Sequence, residues 1–330
     1  MPANLPPEYF DAEKRFRQAS SPAEKVSALE GLIATIPKHK GTDKLRGDLR
    51  RKLSQLRKEA ETLRRSRKGG RGDTYVVQRE GAAQIALVGF PNSGKSSILA
   101  SLTNATPVIA DYPISTVTPL PGMMPYEDIQ IQIIDLPPLG NESTDGWVSG
   151  ILRIGDALLL VLDSTEDLEA QAELLIEQLV KWRIYILEHQ FSESGSSIGV
   201  FKKALLISNK IDYPDTEENF IRLKERYGHH CPCISVSARE KENLEELKRA
   251  IFEVSGIIRV YSKPPGKDPD LSTPFTVPVG STVLDLAESI HKDFIPNLKY
   301  ARIWGSARFD GQRVEKSYVL KDRDVVEFRI

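Results

Sequence analysis

The stretch of eight residues from Gly89 to Ser96 constrains this chain of 330 residues more than any other part of it. It fits the pattern G-x-x-x-x-G-K-S and directly follows an apolar run, Ile85–Val88. Glycines let the backbone wrap around phosphate oxygens, and the N-terminus of a following helix attracts the same negative charge. The motif therefore predicts a strand, a phosphate-binding loop and a helix. The predicted nucleotide contacts are Asn92, Ser93, Gly94, Lys95, Ser96 and Ser97.

Two residues of this loop have a predicted chemistry of their own. Lys95 is expected to bridge the terminal phosphates of a nucleotide, and the Ser96 hydroxyl is expected to ligate Mg²⁺. A phosphate loop does not select the base, so the base has to be read by a second motif.

That second motif, N-K-x-D, runs from Asn209 to Asp212. The Asp212 carboxylate can accept hydrogen bonds from the ring N–H and the exocyclic amine of guanine, whereas adenine offers no such pair of donors. We expect Asn209 to brace the phosphate loop and the stem of Lys210 to cover the face of the base. The pair Ser237-Ala238, after another apolar run, is expected to place a backbone N–H on the guanine oxygen. Together the motifs predict binding of GTP and GDP and oppose ATP.

Short apolar runs alternate with amphipathic stretches between residues 84 and 256, which predicts an α/β fold with a mostly parallel sheet and helices on both faces. The predicted strands are Ile85–Val88, Ile129–Ile134, Ala157–Leu162, Ala204–Ser208 and Ile234–Val236. The predicted helices are Ser96–Leu102, Leu168–Leu187, Thr216–Tyr227 and Asn243–Val254.

The C-terminal part, residues 257–330, predicts a small mixed sheet wrapping one helix. Two aromatic residues of its strand Tyr300–Trp304 lie at the ends of that strand. Alternation along a strand predicts that one of Tyr300 and Trp304 is core and the other exposed, where it can stack on RNA bases.

The first part, residues 1–73, predicts two amphipathic helices in a hairpin, followed by a basic linker. It holds 18 basic and 10 acidic side chains, a net charge of +8, while residues 74–256 carry −11 and residues 257–330 carry +2. A basic arm beside an acidic body indicates a polyanionic partner such as RNA. The alternative is that these charges only keep exposed helices in solution. The leucine stripe of the second helix favours packing within the hairpin over oligomerisation, and so a monomer.

Composition excludes several other classes of protein. No apolar run approaches the ~20 residues that span a bilayer, so no membrane segment is expected. Only Cys231 and Cys233 are present, which excludes a disulfide framework and predicts a cytoplasmic protein. The run His229–Cys233 looks like a metal cluster, but adjacent side chains cannot all turn toward one ion, so packing is the expected role of Cys233.

With these motifs in place, the chain resembles the Obg superfamily of GTPases, and within it the developmentally regulated GTP-binding proteins. The nucleotide motifs and the C-terminal runs Ile258–Pro264, Ile290–Lys292 and Lys299–Gly305 carry the resemblance. It implies a Ras-like P-loop GTPase (G) domain over residues 74–256, a ubiquitin-like β-grasp (TGS) domain over 257–330, and ribosome or RNA binding through the basic arm and the TGS domain.

The resemblance also implies where the switches lie. Residues 112–122 look like switch I, with Thr116 at the position of the threonine that senses Mg²⁺ and the third phosphate. Asp135 matches the acidic residue that holds Mg²⁺ through water. Lys95 and Thr116 are then the residues expected to support catalysis, with metal contacts at Ser96, Thr116 and Asp135.

The sequence departs from the family pattern at switch II. Where the family has D-x-x-G, this chain has Pro138 in place of the glycine, and proline has no N–H to give to the third phosphate. Leu139 follows where some GTPases hold a water-orienting glutamine. We therefore expect slow, Mg²⁺-dependent hydrolysis of GTP by a ribosome- or RNA-associated switch, or alternatively an RNA-binding adaptor with little hydrolysis. Asn92 matches an asparagine that helps hold K⁺ in related GTPases; the alternative is an amide that braces the loop.

Overall fold

The structure of the chain is a computed structural model. It describes residues 29, 32, 35, 75, 77–103, 118–139, 142–186, 199–290 and 298–329. The chain divides into two compact units, residues 1–74 and 75–330. In the first unit, Leu29, Leu32 and Thr35 are helical, with Leu29 and Leu32 buried, and the other residues of the predicted hairpin lie outside the described residues.

A six-stranded sheet forms the centre of the second unit, in the order β2-β3-β1-β4-β7-β8. Neighbouring strands are parallel except β2 and β3, which form an antiparallel pair at one edge. Val, Ile and Leu fill the central strands because both faces of the sheet are covered. The strands are β1 (Gln84–Gly89), β2 (Leu120–Tyr126), β3 (Ile129–Asp135), β4 (Ala157–Asp163), β7 (Lys203–Asn209) and β8 (Cys233–Val236). A separate pair is formed by β5 (Ile184–Tyr185) and β6 (Val200–Phe201).

Five helices pack on the two faces of this sheet in the described part of the chain. One apolar cluster joins the sheet to α2, α3 and α4, and the other joins it to α1 and α5. These helices are α1 (Lys95–Leu102), α2 (Glu142–Ile154), α3 (Leu168–Lys181), α4 (Glu217–Tyr227) and α5 (Leu244–Ser255). The predicted α/β fold with helices on both faces is confirmed.

One predicted helix was too long. The periodic pattern predicted a helix from Leu168 to Leu187, but α3 ends at Lys181 and the chain then forms β5. Arg183 has a φ of +57°, a left-handed conformation that a helix cannot continue through. Apolar residues belonging to the short strand had extended the apparent helical pattern.

The C-terminal part folds into a five-stranded sheet in the order β10-β9-β13-β11-β12, with α6 (Val283–Ile290) packed on one face. The strands are β9 (Ile257–Ser262), β10 (Phe275–Pro278), β11 (Tyr300–Trp304), β12 (Gln312–Val314) and β13 (Asp324–Arg329). The expectation that Tyr300 and Trp304 lie on opposite faces was wrong. They are four residues apart, and side chains of a strand repeat every second residue, so both lie on the face away from α6.

The two sheets are joined by a charged cluster around Arg259 of β9. Its guanidinium is almost fully buried and pairs with three carboxylates, those of Glu127, Asp128 and Asp322. The first two belong to the β2–β3 turn, so Arg259 ties the C-terminal sheet to the six-stranded sheet. The same guanidinium lies 4.8 Å from the ring centroid of Phe252 in α5.

No described helix is long and apolar enough to cross a bilayer.

Replacing Arg259 tests this junction. Arg259→Met leaves Asp128 and Asp322 without their cation, and we expect the free energy of unfolding to fall by about 3 kcal/mol. Urea denaturation followed by tryptophan fluorescence measures the change. Arg323→Met is the matched control, because Arg323 also pairs with Glu127 but is 60% exposed and should leave the midpoint unchanged. Equal effects of both substitutions would contradict the role given to Arg259.

Candidate functional site

The predicted nucleotide motifs meet at one edge of the six-stranded sheet. The loops concerned follow β1, β4, β7 and β8, which are adjacent parallel strands and end at the same edge. In open α/β sheets, ligands bind at this carboxyl edge. Two sequence motifs more than 100 residues apart are thereby placed side by side, as Asn209 and Ser93 are in contact.

The phosphate loop turns tightly between β1 and α1. Gly94 has a φ of +90°, and a Cβ at this position would lie 2.1 Å from the Asn209 side-chain nitrogen. Glycine is therefore required here both for its backbone conformation and for the close approach of Asn209. Helix α1 begins at the next residue, so its first free N–H groups face the loop.

Lys95 lies inside the loop that it is predicted to serve. Its ammonium donates to the carbonyl oxygens of Gly89, at 3.0 Å, and Phe90, at 2.8 Å. Burial lowers the pKa of Lys95 to about 8, and the charge of Asp135 acts in the opposite direction. A buried ammonium held only by neutral carbonyl groups gains from an incoming polyanion such as a nucleotide phosphate.

Ser96 and Asp135 form a pair of oxygen ligands beside the loop. The Ser96 hydroxyl donates to Asp135 Oδ2 at 2.5 Å, and the carboxylate is 1% exposed. Its other oxygen, Oδ1, is buried with no hydrogen-bond partner, and burial raises the pKa of this carboxyl group. A hydroxyl next to an unsatisfied carboxylate oxygen fits the oxygen-donor preference of Mg²⁺.

The Asn209 side chain connects two loops. Its Nδ2 donates to the carbonyl oxygen of Ser93 at 3.0 Å, and its Oδ1 accepts from the backbone N–H of Ala238 at 3.1 Å. Asn209 itself ends β7 and is 2% exposed. One amide thus links the phosphate loop to the Ser237-Ala238 loop, which is the bracing position predicted for it.

Asp212 lies beside Ser237 at the open side of this assembly. The Ser237 hydroxyl donates to Asp212 Oδ1 at 2.6 Å, while the Asp212 residue is exposed. The same hydroxyl oxygen accepts from the Glu240 N–H at 3.0 Å, which fixes its orientation. Asp212 is therefore held in place and still accessible to a ligand.

The end of β4 contributes residues that the sequence reasoning missed. Asp163 forms an ion pair with Lys210 and accepts hydrogen bonds from the N–H and hydroxyl of Thr165. The Ser164 hydroxyl donates to the Asn209 carbonyl oxygen at 2.6 Å. The available signal was the run Asp163-Ser164-Thr165, three polar residues directly after an apolar strand of the parallel sheet.

Three other residues singled out in the sequence remain to be placed: Thr116, Pro138 and Cys231. Thr116 lies outside the described residues, so its place in the site stays a prediction. Among the described residues after Asp135, Pro138 has no N–H, and the next N–H, that of Leu139, donates back to the Gly89 carbonyl oxygen at 3.4 Å. The buried Cys231 thiol donates to the Ala204 carbonyl oxygen, and burial raises its pKa to about 12.

Comparison with known proteins agrees with this geometry. Residues 84–189 match a family described as 50S ribosome-binding GTPase, and residues 258–330 match the TGS domain. An uncharacterized GTP-binding protein of Methanocaldococcus jannaschii is 33% identical, over 92% of this chain and 91% of its own length. Developmentally-regulated GTP-binding protein 1 of Xenopus laevis is 27% identical, over 92% of this chain and 97% of its own length.

The chain belongs to the developmentally regulated GTP-binding protein family. It is therefore a GTPase with a P-loop G domain and a C-terminal TGS domain, and its nucleotide ligands are GTP and GDP. The carboxyl edge of the six-stranded sheet, where the P-loop and the N-K-x-D motif meet, is the candidate site for these nucleotides.

Asp212→Asn tests the predicted reading of the base. An amide presents a donor where guanine also presents donors, so we expect the affinity for GDP to fall about 100-fold, because a charge-assisted pair of hydrogen bonds is lost. Xanthosine diphosphate, which offers an acceptor there, should bind the variant more tightly than it binds the wild type. Isothermal titration calorimetry measures both. Asp215→Asn, in the same loop and also exposed, is the control; an unchanged GDP affinity in Asp212→Asn would refute the assignment.

Proposed function

We propose that this GTPase is a slow, Mg²⁺-dependent molecular switch that works on the ribosome or on RNA in the cytoplasm, as a monomer. The observation that carries the proposal is the Asn209 amide, which links the phosphate loop to the Ser237-Ala238 loop around an accessible Asp212. This arrangement supports recognition of guanine and of phosphate at one site.

Each predicted site residue has a proposed role. Asn92, Ser93, Gly94, Lys95, Ser96 and Ser97 cradle the phosphates, and Asn209, Lys210, Asp212, Ser237 and Ala238 hold the base. Ser96, Thr116 and Asp135 would hold Mg²⁺, which supplies positive charge to the phosphate oxygens. Lys95 stabilises the charge on the terminal phosphates. The described residues of the site include no side chain placed as a general base, so catalysis rests on positioning and electrostatics.

Slow hydrolysis is expected because Pro138 has no backbone N–H. The N–H that the family pattern supplies to the third phosphate is absent at this residue, and the Leu139 N–H donates to Gly89. A preorganised donor at developing charge contributes about 10²–10³ in rate. Without it, intrinsic turnover should stay well below about one per second.

A ribosomal or RNA partner is supported by two independent features. Residues 1–73 carry a net charge of +8, and a basic segment next to an acidic domain attracts a polyanion. In addition, the family matched by residues 84–189 is described as ribosome-binding. The same features fit a second candidate function, favoured by Pro138, in which the chain is an RNA-binding adaptor that binds GTP and cleaves it very little.

Single-turnover cleavage of GTP with and without ribosomes distinguishes the two functions. The switch predicts slow cleavage by the protein alone and faster cleavage when ribosomes are added, because a partner can supply the missing transition-state contacts. Radiolabelled phosphate release measures the rate. Absence of cleavage under both conditions, with GTP bound, would support the adaptor. Rapid multiple turnover without any partner would contradict both the proposed slow rate and its explanation.

Pro138→Ala restores an N–H without adding the flexibility of glycine. We expect the single-turnover rate of the protein alone to rise about tenfold or more, because one donor becomes available to the third phosphate. Pro137→Ala is the matched control, since it changes the neighbouring proline without altering this position. If both substitutions change the rate equally, the missing N–H is not what limits hydrolysis.

K⁺ dependence tests the proposed role of Asn92. If its amide helps hold K⁺ beside the phosphates, hydrolysis should be faster in KCl than in NaCl of equal ionic strength. Asn92 has a φ of +62°, so Asn92→Gly removes the amide without backbone strain and should abolish the difference. Equal wild-type rates in the two salts would leave Asn92 with the role of bracing the loop.

A further inference from the structure

The open face of the C-terminal sheet carries alternating aromatic and cationic side chains. On β11, Tyr300, Arg302 and Trp304 lie on this face, while Ala301 and Ile303 are buried against α6. Tyr300 and Trp304 are half-buried and Arg302 is exposed. The outward residues of β11 are therefore two rings separated by one guanidinium.

This face is only partly occupied within the second unit. On the β9 side, Arg259 and Tyr261 bond to the β2–β3 turn of the G domain. On the opposite side, β11 and β12 carry exposed residues, among them Arg302 and Arg313. The sheet thus presents one docked half and one open half.

Each ring on the open half has a cation next to it. The Arg313 guanidinium lies 4.1 Å from the ring centroid of Tyr300, and the Lys263 ammonium lies 4.9 Å from that of Trp304. The acidic residue on this face, Glu327, is 2% exposed and already pairs with Lys263 at 3.0 Å and Arg329 at 2.6 Å. The face therefore has a surplus of positive charge beside aromatic surfaces.

The register of the sheet brings two arginines directly opposite each other. Arg302 of β11 is paired with Arg313 of β12, and no described acidic residue forms an ion pair with either. Like charges in directly opposite positions destabilise a pair of strands. On its other side Arg302 lies opposite Glu327 of β13, whose carboxylate pairs with Lys263 and Arg329 instead. Two exposed guanidinium groups in opposite positions fit an anionic ligand, which would reduce their repulsion.

The spacing of the rings selects the form of that anion. Tyr300 and Trp304 are four residues apart on one strand, about 13 Å at the usual rise. Neighbouring bases in a duplex are stacked at about 3.4 Å and present no free ring faces at such a separation. A single strand with its bases turned out can place one base on each ring.

We propose that this open half of the TGS sheet binds a short segment of single-stranded RNA. Bases stack on Tyr300 and Trp304, and a phosphate between them is bound by the opposed Arg302 and Arg313. The proposal deepens the proposed function, on whose RNA partner it rests, by naming the surface and the single-stranded form of the RNA.

Fluorescence anisotropy of the full chain, bound to GDP and Mg²⁺, tests the surface with a labelled 12-nucleotide oligouridylate and a duplex RNA of equal length. Arg302→Ala/Arg313→Ala should lower the affinity for the single strand about tenfold or more, and the slope of log affinity against log salt should become shallower by about 0.7, because one phosphate contact is lost. Tyr300→Leu keeps an apolar side chain but removes the ring, and should cost about tenfold. Lys267→Ala/Lys321→Ala removes two exposed lysines outside these strands and is the matched control.

Photocrosslinking of the same oligouridylate, followed by mass spectrometry, separates this surface from the basic arm. Adducts on β11 and β12 support the proposal, whereas adducts confined to residues 1–73 overturn it. The proposal also fails if the double arginine variant binds like its lysine control, or if the duplex binds more tightly than the single strand. GTP cleavage by the same variants in the presence of ribosomes tests the proposed switch separately. Either proposal can therefore be refuted while the other is supported.

Discussion

The two hydrogen bonds of the Asn209 side chain are the constraint on which the rest of the site depends. They join a carbonyl of the phosphate loop, which follows β1, to an N–H of the Ser237-Ala238 loop, which follows β8, with β4 and β7 lying between these strands. The close approach requires glycine at position 94, since any Cβ there would overlap the amide. The parallel order of the strands is what brings these residues to one edge, so the fold and the site are specified together.

The two sides of the site are built differently. On the base side, the Asp212 carboxylate accepts a hydrogen bond from Ser237, and the Asn209 amide bonds to Ser93 and Ala238, so these side chains are held in position. On the phosphate side, Lys95 is buried against neutral carbonyls and Asp135 keeps an oxygen with no partner, so charged groups there are left for phosphate and metal to satisfy. This difference fits the proposed function, in which guanine nucleotides bind at a preformed site while hydrolysis depends on contacts that the chain does not itself supply, as at Pro138.

Much of this account could be predicted from the sequence, because the nucleotide motifs are local and each follows an apolar strand. What could not be predicted depends on tertiary contacts. Asp163 pairs with Lys210 only because β4 and β7 are neighbours, and Arg259 pairs with the β2–β3 turn from more than 100 residues away. The faces of Tyr300 and Trp304 were misjudged although a strand period of two residues was sufficient to assign them.

Calorimetric titration of the full wild-type chain with GDP and with ADP, in Mg²⁺, tests the central claim most directly. The account predicts one GDP bound per chain and ADP binding weaker by at least about 10³-fold, because a site built around paired hydrogen bonds rejects a base that lacks them. Equal affinity for the two nucleotides, or no uptake of GDP by folded protein, would contradict the claim that the Asn209-linked loops form a guanine nucleotide site.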